Sequence, residues 1–210
     1  MPGDLSMTLQ IIGFPRSNFV RATRMAAHEK GVEYEHIAAL PHSDEVKAIH
    51  PLGQIPAMRH GDFELFEAIA IIRYIDAAFD GPALFPSDAQ AAAKVDQWCS
   101  IVATSVDQLL LRNYVVPYAF HRDEEGNVIR DKIDVAIKRF PKMFGLLDAA
   151  VADGHVGSNE FNMADCFLMP MLAGVQMFPE GKEAVANHAA LADYFARLSE
   201  RESFKVTSPV

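Results

Sequence analysis

The sequence predicts a small α/β domain followed by an all-helical domain. Strand-like and helix-like segments alternate over the first 80 residues, and a stretch rich in proline and glycine, "DGPALFPSDAQ", then follows as a linker. Beyond this stretch the apolar residues recur at steps of three and four, which is the period of an α-helix. We therefore expect residues 7–80 to form the first domain, 81–88 the linker and 89–210 the helical domain.

The elements of the first half are predicted in the order βαβ and then ββα. "TLQIIGF" is an apolar strand candidate, and the helix that follows it should begin at Ser17 and end at Gly31. "EYEHIA" alternates like a second strand, and "PAMRH" and "FELFE" flank a turn that suits a hairpin. "EAIAIIRYIDAAF" closes this half as a mostly apolar helix. This order predicts one parallel pair of strands and an antiparallel hairpin beside it.

The second half shows helical periodicity almost throughout. One helix is expected around Val95 to Leu109, and another from Ile133 to Val151 with a kink at Pro141. The polar stretch "HRDEEGNVIR" between them reads as a loop, while "NMADCFLMPMLAGVQMF" and "HAALADYFARLSERE" indicate further helices. Asn162 and Asp165 match a capping box, which is a signal for folding and not for chemistry.

Composition and charge exclude several classes of function. A net charge of -9 argues against a nucleic-acid surface, which needs clustered Lys and Arg. No apolar stretch reaches membrane-spanning length, and the first residues lack the pattern of a signal peptide. The histidines show no metal-binding spacing, and Cys99 and Cys166 fit reduced core residues. We therefore expect a cytoplasmic protein without a metal, a nucleic-acid partner or a membrane anchor.

Pro56 stands where the strand "AMRH" should begin, although proline cannot donate a hydrogen bond to a sheet. In the trans form Pro56 would mark an edge strand or a bulge. In the cis form it would turn the chain sharply and hold the residue before it outward. The neighbouring residues Gln54 and Ile55, followed by the hairpin and "ELFEAIAI", raise the expectation of the cis form above its usual share of about 5–6% of X-Pro bonds.

Several stretches of the chain resemble the cytosolic glutathione transferases, and the serine-type, phi-like and bacterial members most of all. In chain order these stretches are "PLGQIPAM", "ELFEAIAIIRYI", "ALFPSDAQAAAKVDQW", "NMADCFLMPML" and "YFARLSERESFK". The resemblance implies a thioredoxin-like N-terminal domain with a cis-proline before its third strand, and an all-α C-terminal helical domain. It also implies a homodimeric enzyme, in which the first domain of one chain packs against the helical domain of the other.

The implied reaction is the attack of glutathione thiolate on a small hydrophobic electrophile, in the manner of a detoxification enzyme. Serine-type members keep a catalytic hydroxyl after the first strand, at the start of the first helix, and Ser17 occupies that place. A serine before a helix is also an ordinary N-cap, so both interpretations are open here. Tyrosine-type members would need Tyr where this chain has Phe14, and cysteine-type members would need a Cys near the first helix.

The resemblance also implies a set of residues that contact glutathione. Ile55, presented by Pro56, would pair through its backbone with the cysteinyl part of glutathione. Gln54 and Glu67 would meet the γ-glutamyl group. The remaining candidates are His42 before the short second helix, which would reach the glycyl carboxylate, and Ala68, whose backbone N–H faces the γ-glutamyl end.

The chain departs from the family pattern at two positions. Ala68 replaces the usual Ser after the Glu, and His50 replaces the usual Asn of "N-P-x-G". The loss of the hydroxyl at Ala68 favours a non-catalytic binding module as an alternative function. Glutathione-dependent isomerisation and peroxide reduction are the alternatives among enzymes, although "PRSNF" lacks the "S-S-C" that isomerases usually carry.

Tyr114, Tyr118 and Phe120 follow the predicted fourth helix or lie at its end. In the family this region forms a wall of the electrophile site, and we give these residues that role as an expectation. Ordinary packing is an equally open interpretation of the three aromatic side chains.

Overall fold

The computed structural model describes residues 8–209, so the predicted domain limits at residues 7 and 210 lie outside it. Within the described range the chain divides into two compact units. Unit 1 runs to Phe85 and also includes the segment from Arg201 onward, and unit 2 is Pro86–Glu200. The division between Phe85 and Pro86 falls inside the predicted linker.

Unit 1 contains a mixed sheet with helices on both faces. Strand β1 pairs in parallel with β2 and antiparallel with β3, and β3 pairs antiparallel with β4, which gives the order β2-β1-β3-β4. This arrangement confirms the predicted crossover and hairpin. The elements are β1 Leu9–Ile12, α1 Asn18–Lys30, β2 Tyr34–Ile37, α2 Asp44–Ile49, β3 Ala57–His60, β4 Phe63–Phe66 and α3 Ala68–Ala78, with α11 Glu202–Val206 from the C-terminal segment.

Alternation along β1 sends its side chains into two separate cores. Leu9 and Ile11 lie on the face that packs against α1 and α3, together with Val20 and Ile75. Ile12 lies on the opposite face, where it packs with residues of the α2 region. The sheet is therefore covered on both sides, and the ends of its strands stay fixed relative to α1, α2 and α3.

Helix α1 begins and ends where the sequence predicts. The Ser17 side chain accepts a hydrogen bond from the Val20 N–H, and Gly31 ends the helix in the left-handed conformation with φ 74°. Both caps come from local chemistry that can be read in the sequence, since serine favours an N-cap and glycine favours a positive φ.

The C-terminal segment packs on α1, whereas the predicted domain limits placed it with the helical domain. The half-buried carboxylate of Glu29 accepts a hydrogen bond of 2.7 Å from Arg201 Nε. The buried Arg21 donates to the carbonyl oxygen of Phe204 at 3.0 Å and to Ser208 Oγ at 2.6 Å. These long-range hydrogen bonds give the charged side chains of α1 their partners. The helical period of the C-terminal segment does not predict them.

Unit 2 is helical. Its elements are α4 Ala89–Ile101, a π-helical segment Val102–Val115, α5 Val116–Phe120, α6 Asp131–Ile137, α7 Phe140–Ala150, α8 Met163–Val175, α9 Pro179–Ala186 and α10 Ala189–Ser199. Pro141 lies in the first turn of α7, so the chain breaks into separate helices there and is not kinked as predicted. Proline fits this place because the first turn of a helix leaves its N–H groups without intrahelical partners.

Helix α8 forms the centre of unit 2, and every residue from Asn162 to Leu172 is buried. Its capping box is present as predicted, since Asn162 caps the helix and the Asp165 side chain accepts from the Asn162 N–H at 2.8 Å. Among residues 8–209, no helix combines the length and the apolar character needed to cross a membrane.

Candidate active site

Several segments of unit 1 meet at the edge of the sheet that is formed by the ends of its strands, and not along an outer strand. Ile12, the last residue of β1, is aligned with Ile37 at the end of β2 and with Ala57 at the start of β3. Ala57 is in turn aligned with Phe66, the last residue of β4. The residues that directly follow Ile12, Ile37 and Phe66, and those that directly precede Ala57, therefore share this edge. The sequence-predicted glutathione contacts in unit 1 all lie in these flanking segments.

Ser17 lies at this edge as the N-cap of α1. Its backbone N–H donates to the carbonyl oxygen of Phe14 at 2.9 Å, and its Oγ accepts from the Val20 N–H at a long 3.5 Å. The side chain is half-buried. The cap contact uses the oxygen as an acceptor and leaves the hydroxyl proton for another partner. Ser17 can therefore cap the helix and donate a hydrogen bond to an anion at the same time.

Gly13 brings Ile55 close to the first turn of α1. A Cβ on Gly13 would lie 2.5 Å from Val20 Cγ2 and 3.1 Å from Ile55 Cβ, so only glycine permits this approach. The Gly13 carbonyl oxygen lies 3.0 Å from Nε2 of His36 on β2. Burial lowers the pKa of His36, and the nearby Arg24 lowers it further. A neutral imidazole donating from Nε2 therefore holds the loop that leads to Ser17.

The Ile55–Pro56 peptide bond is cis, as the sequence predicted. Pro56 is buried, Ile55 is half-buried and Gln54 is exposed. Strand β3 begins at Ala57, so Ile55 lies beyond the last aligned pair of the sheet. The backbone of Ile55 is thus placed at the end of the sheet and is not part of its ladder.

His42 is held beside this segment by backbone contacts. Its N–H donates to the carbonyl oxygen of Gly53 at 2.8 Å, and both residues have positive φ angles of 65° and 64°. A Cβ on Gly53 would lie 2.6 Å from His42 Nδ1. This contact places the exposed His42 next to Gly53, the residue that precedes Gln54, although His42 and Gly53 lie eleven positions apart in the sequence.

Glu67 and Ala68 complete the edge at the start of α3. Glu67 is the N-cap residue, but its φ is 72° and its side chain makes no capping hydrogen bond. A positive φ is costly for a residue with a side chain, and such conformations cluster at functional sites. The Glu67 side chain is 65% exposed, whereas Ala68 is buried. The carboxylate therefore points away from the helix it could cap.

His50 also belongs to this site, and sequence reasoning missed its contact with Glu67. The His50 side chain is only 2% exposed, its Nε2 lies 3.6 Å from Glu67 Oε1, and its ring centroid lies 4.6 Å from that of Phe66. The signal available in the sequence was the departure of His50 from the usual Asn. The sequence shows that His50 departs from the family pattern, but only the fold shows that the His50 side chain faces Glu67.

The aromatic residues predicted for the electrophile lie in unit 2. Tyr114 and Tyr118 are buried, and both hydroxyls donate to the Glu180 carboxylate, at 3.2 Å from Tyr114 and at 2.7 Å from Tyr118. The Tyr118 ring stacks on Phe178 with 4.3 Å between the centroids. Phe120 is 75% exposed. These contacts describe packing for the two tyrosines, and the role of all three toward an electrophile stays a prediction.

The polar cluster around Glu180 has a distinct electrostatic character. Burial alone would raise the pKa of the Glu180 carboxyl, but hydrogen bonds from Arg130 and Tyr118 outweigh burial and lower it to about 2. Burial raises the pKa of Tyr114 above its usual range, against the hydrogen bond from the Gly181 N–H. The carboxylate is therefore ionised and both phenols are neutral near pH 7.

The described residues give no grouping of three His, Cys, Asp or Glu side chains that could hold a metal ion. The expectation of a metal-free site stays a prediction.

Comparisons with known proteins agree with this architecture. The model of the glutathione S-transferase N-terminal domain matches residues 11–83, and that of the glutathione S-transferase C-terminal domain matches residues 117–197. A wheat (Triticum aestivum) glutathione S-transferase is 31% identical over 71% of this chain and 70% of its own length. Arabidopsis thaliana glutathione S-transferase Z1 is 29% identical over 96% of this chain and 91% of its own length.

The solved structures agree as well. The crystal structure of glutathione transferase F7 from Populus trichocarpa matches with a TM-score of 0.84 over 95% of this chain and 97% of that chain, at 21% identity. The chain belongs to the glutathione S-transferase family, whose members use glutathione as co-substrate. The family and the thioredoxin-like plus helical fold class predicted from the sequence are confirmed. The relatives include names from more than one group, F and Z.

Proposed function

We propose that this protein is a glutathione transferase that activates the thiol of glutathione at Ser17 and conjugates it to small hydrophobic electrophiles. The observation that carries the proposal is the position of Ser17 Oγ at the start of α1, the helix whose first turn Gly13 keeps close to Ile55. A free thiol has a pKa of about 8.5, so only a few per cent is thiolate near neutral pH. A hydroxyl donor and the positive end of a helix both favour the thiolate.

Ser17 can stabilise a thiolate only if the thiol is held close to the Ser17 hydroxyl. The position of Ile55 supports such a placement of glutathione. The cysteinyl backbone of glutathione has an N–H and a C=O of the kind that extends a sheet edge. Ile55 lies beyond the last aligned pair of β3, and Gly13 keeps it close to the first turn of α1. A tripeptide paired with Ile55 would present its thiol toward Ser17.

The two charged ends of glutathione fit the two sides of the same edge. The γ-glutamyl end carries an ammonium and a carboxylate, which suit the exposed Glu67 side chain and the N-terminal N–H groups of α3. Gln54 and the Ala68 N–H lie in the same segments and would add contacts to this end. The glycyl carboxylate would reach the exposed His42 beside Gly53. Ala68 offers no hydroxyl, so the backbone has to supply that contact.

We also propose that the protein works as a cytoplasmic homodimer in the detoxification of such electrophiles, with no metal, membrane or nucleic-acid partner. The family membership supports the dimer, and large apolar side chains exposed in unit 1 are consistent with it, namely Leu40, Leu52 and Phe63. Light scattering at micromolar concentration tests the dimer, and a monomer there would count against it.

A glutathione-dependent isomerisation is the second candidate, because the chain is similar over nearly its whole length to a relative named Z1 as well as to F-group relatives. The electrophile is proposed to contact Phe120 and the region of Tyr114 and Tyr118. Peroxide reduction and a non-catalytic binding module are the remaining alternatives.

Retention on immobilised glutathione, followed by a conjugation assay with an aryl halide, tests the proposal. Elution by free glutathione together with turnover is the expected result. Retention without turnover would favour the binding module. Turnover only with an unsaturated diacid whose double bond isomerises, or only with an organic peroxide, would favour the corresponding alternative enzyme.

A further inference from the structure

His50 occupies a fixed place between α2 and the segment that leads to Ile55. Its backbone N–H donates to the carbonyl oxygen of Val46 at 2.8 Å, which ends α2, and its carbonyl oxygen accepts from the Gly53 N–H at 2.8 Å. The side chain is 2% exposed. The imidazole is therefore built into the fold and cannot swing into solvent.

The hydrogen bonds of the ring decide which nitrogen carries the proton. The Leu52 N–H lies 3.1 Å from His50 Nδ1. A backbone amide can only donate, so Nδ1 accepts, and in the neutral ring the proton sits on Nε2. Nε2 faces Glu67 Oε1 at 3.6 Å, while the ring packs against Phe66. His50 thus presents an N–H donor to one oxygen of the Glu67 carboxylate.

The distance of 3.6 Å is longer than a hydrogen bond, and the exposed Glu67 side chain would have to rotate to close it. Contacts of this kind are often long before a ligand binds and tighten in the complex. Glu67 has no capping hydrogen bond to restrain its carboxylate. An N–H donor on Oε1 would fix the rotamer and leave Oε2 for a ligand.

We infer that His50 is a positioning residue, which orients the Glu67 carboxylate and so makes the site selective for a ligand with a free ammonium group. The inference rests on the proposed function, in which the γ-glutamyl end of glutathione meets Glu67. A carboxylate oriented in advance attracts the ammonium without the entropy cost of ordering a mobile side chain. His50 would then lower the KM for glutathione and leave kcat unchanged, because the thiol reacts elsewhere.

Two substitutions separate this role from a structural one. In His50→Asn the side-chain oxygen can take the place of Nδ1 and keep the contact with the Leu52 N–H, but no atom reaches Glu67. In His50→Gln the side-chain nitrogen can take the place of Nε2 and keep the donor for Glu67, but the Leu52 N–H loses its acceptor. The first variant should alter ligand selectivity, and the second should mainly lower the melting temperature.

The deciding experiment compares glutathione with glutaryl-cysteinyl-glycine, which lacks only the α-amino group. Dissociation constants from calorimetry and KM and kcat values are measured for the wild-type protein, His50→Asn and His50→Gln. We expect His50→Asn to weaken the binding of glutathione by about three- to tenfold, with kcat unchanged. The same substitution should leave the binding of the analogue unaffected. His50→Gln should keep most of the wild-type preference for glutathione over the analogue.

An equal effect of His50→Asn on both ligands, or no effect on either, would overturn the inference while leaving the proposed function in place. Failure of the wild-type protein to bind glutathione at all would overturn the proposed function and the inference with it. The two failures are distinguished because the second is seen before any substitution is made.

Discussion

Gly13 and Ile55 lie so close that a Cβ on Gly13 would come within 3.1 Å of the Ile55 Cβ. This contact joins the loop before Ser17 to the segment before β3, and the same Cβ would lie only 2.5 Å from Val20 Cγ2. The proposed thiolate donor and the proposed peptide-binding backbone are thereby held in one arrangement.

The first prediction follows from this contact. In Gly13→Ala the added methyl group should push both Ile55 and Val20 away from residue 13. We expect this change to lower the stability by about 1–3 kcal/mol and to raise the KM for glutathione. Thermal unfolding and steady-state kinetics measure the two effects. Gly126→Ala is a matched control, because Gly126 also has a positive φ but no heavy atom within 4 Å of its Cβ position. A KM that rises equally in both variants would contradict a specific role for the Gly13–Ile55 contact.

The second prediction concerns Ser17. If its hydroxyl donates to the thiolate, Ser17→Ala should raise the pKa of the bound thiol and reduce kcat/KM at neutral pH. A charge-assisted hydrogen bond is worth roughly 1.5–3 kcal/mol, which is about a ten- to a hundredfold change in thiolate population. The loss should shrink as the pH rises past the ordinary thiol pKa of about 8.5, since glutathione then ionises unaided.

The control for Ser17 is Ser17→Thr, which keeps both the hydroxyl and the N-cap. The alanine variant should also lose about 1 kcal/mol of stability through the missing cap, whereas the threonine variant should lose little. A lower melting temperature combined with an unchanged pH–rate profile would leave Ser17 as a cap only. The first-turn N–H groups of α1 and Arg16 would then be the next candidates.

Local sequence signals predicted the elements of unit 1 well, because each one depends on its own residues. Ser17 and Gly31 mark the ends of α1, and the Gly-Asp turn marks the hairpin. The sequence did not predict the packing of the C-terminal segment on α1. Glu29 and Arg201 are 172 positions apart, and nothing in the helical period of either segment identifies its partner.

The candidate site shows the same division between local and long-range information. The positions of Ser17, Ile55 and Glu67 follow from recognisable stretches that border the strands. The contact of His50 with Glu67 depends on how the end of α2 packs against β4, which the sequence does not show. The hydrogen bonds of Tyr118 and Tyr114 to Glu180 were missed because α9, which carries Glu180, was not anticipated.

The third prediction concerns Asp165, whose carboxylate contacts four residues of unit 2. It accepts from the Asn162 N–H at 2.8 Å, from the Val156 N–H at 2.9 Å and from the Tyr194 hydroxyl at 2.9 Å, and His155 lies 3.1 Å away. Asp165→Ala would leave the three buried donors, the Asn162 and Val156 N–H groups and the Tyr194 hydroxyl, without this acceptor, so we expect a loss of about 3–5 kcal/mol. That is more than the loss of about 1 kcal/mol expected from an isolated cap.

Denaturant unfolding of Asp165→Ala and Tyr194→Phe measures the contribution of this cluster. The tyrosine variant removes one hydrogen bond and should cost only about 1 kcal/mol. Similar losses for the two variants would show that Asp165 acts through a single contact and not as the centre of the cluster.

The last prediction concerns Glu180 and the pH dependence of stability. Its hydrogen bonds from Arg130 at 2.6 Å and Tyr118 at 2.7 Å hold its pKa at about 2, below the value of 4.5 expected in an unfolded chain. A carboxyl whose pKa is lowered by folding stabilises the native state above its unfolded pKa. This stabilisation is lost as the pH falls from about 4.5 to about 2. Because Glu180 is partly exposed, we expect about 1–2 kcal/mol and not the full value of the shift.

Glu180→Gln should therefore lower the stability at neutral pH and flatten the dependence of stability on pH between about 4.5 and about 2. Chemical unfolding at a series of pH values measures both effects. Glu183→Gln is the matched control, because it removes the same charge from an exposed position of the same helix. We expect it to leave the neutral-pH stability nearly unchanged. Equal pH dependence in the wild-type protein and in Glu180→Gln would show that the Arg130 and Tyr118 contacts do not stabilise the ionised carboxylate.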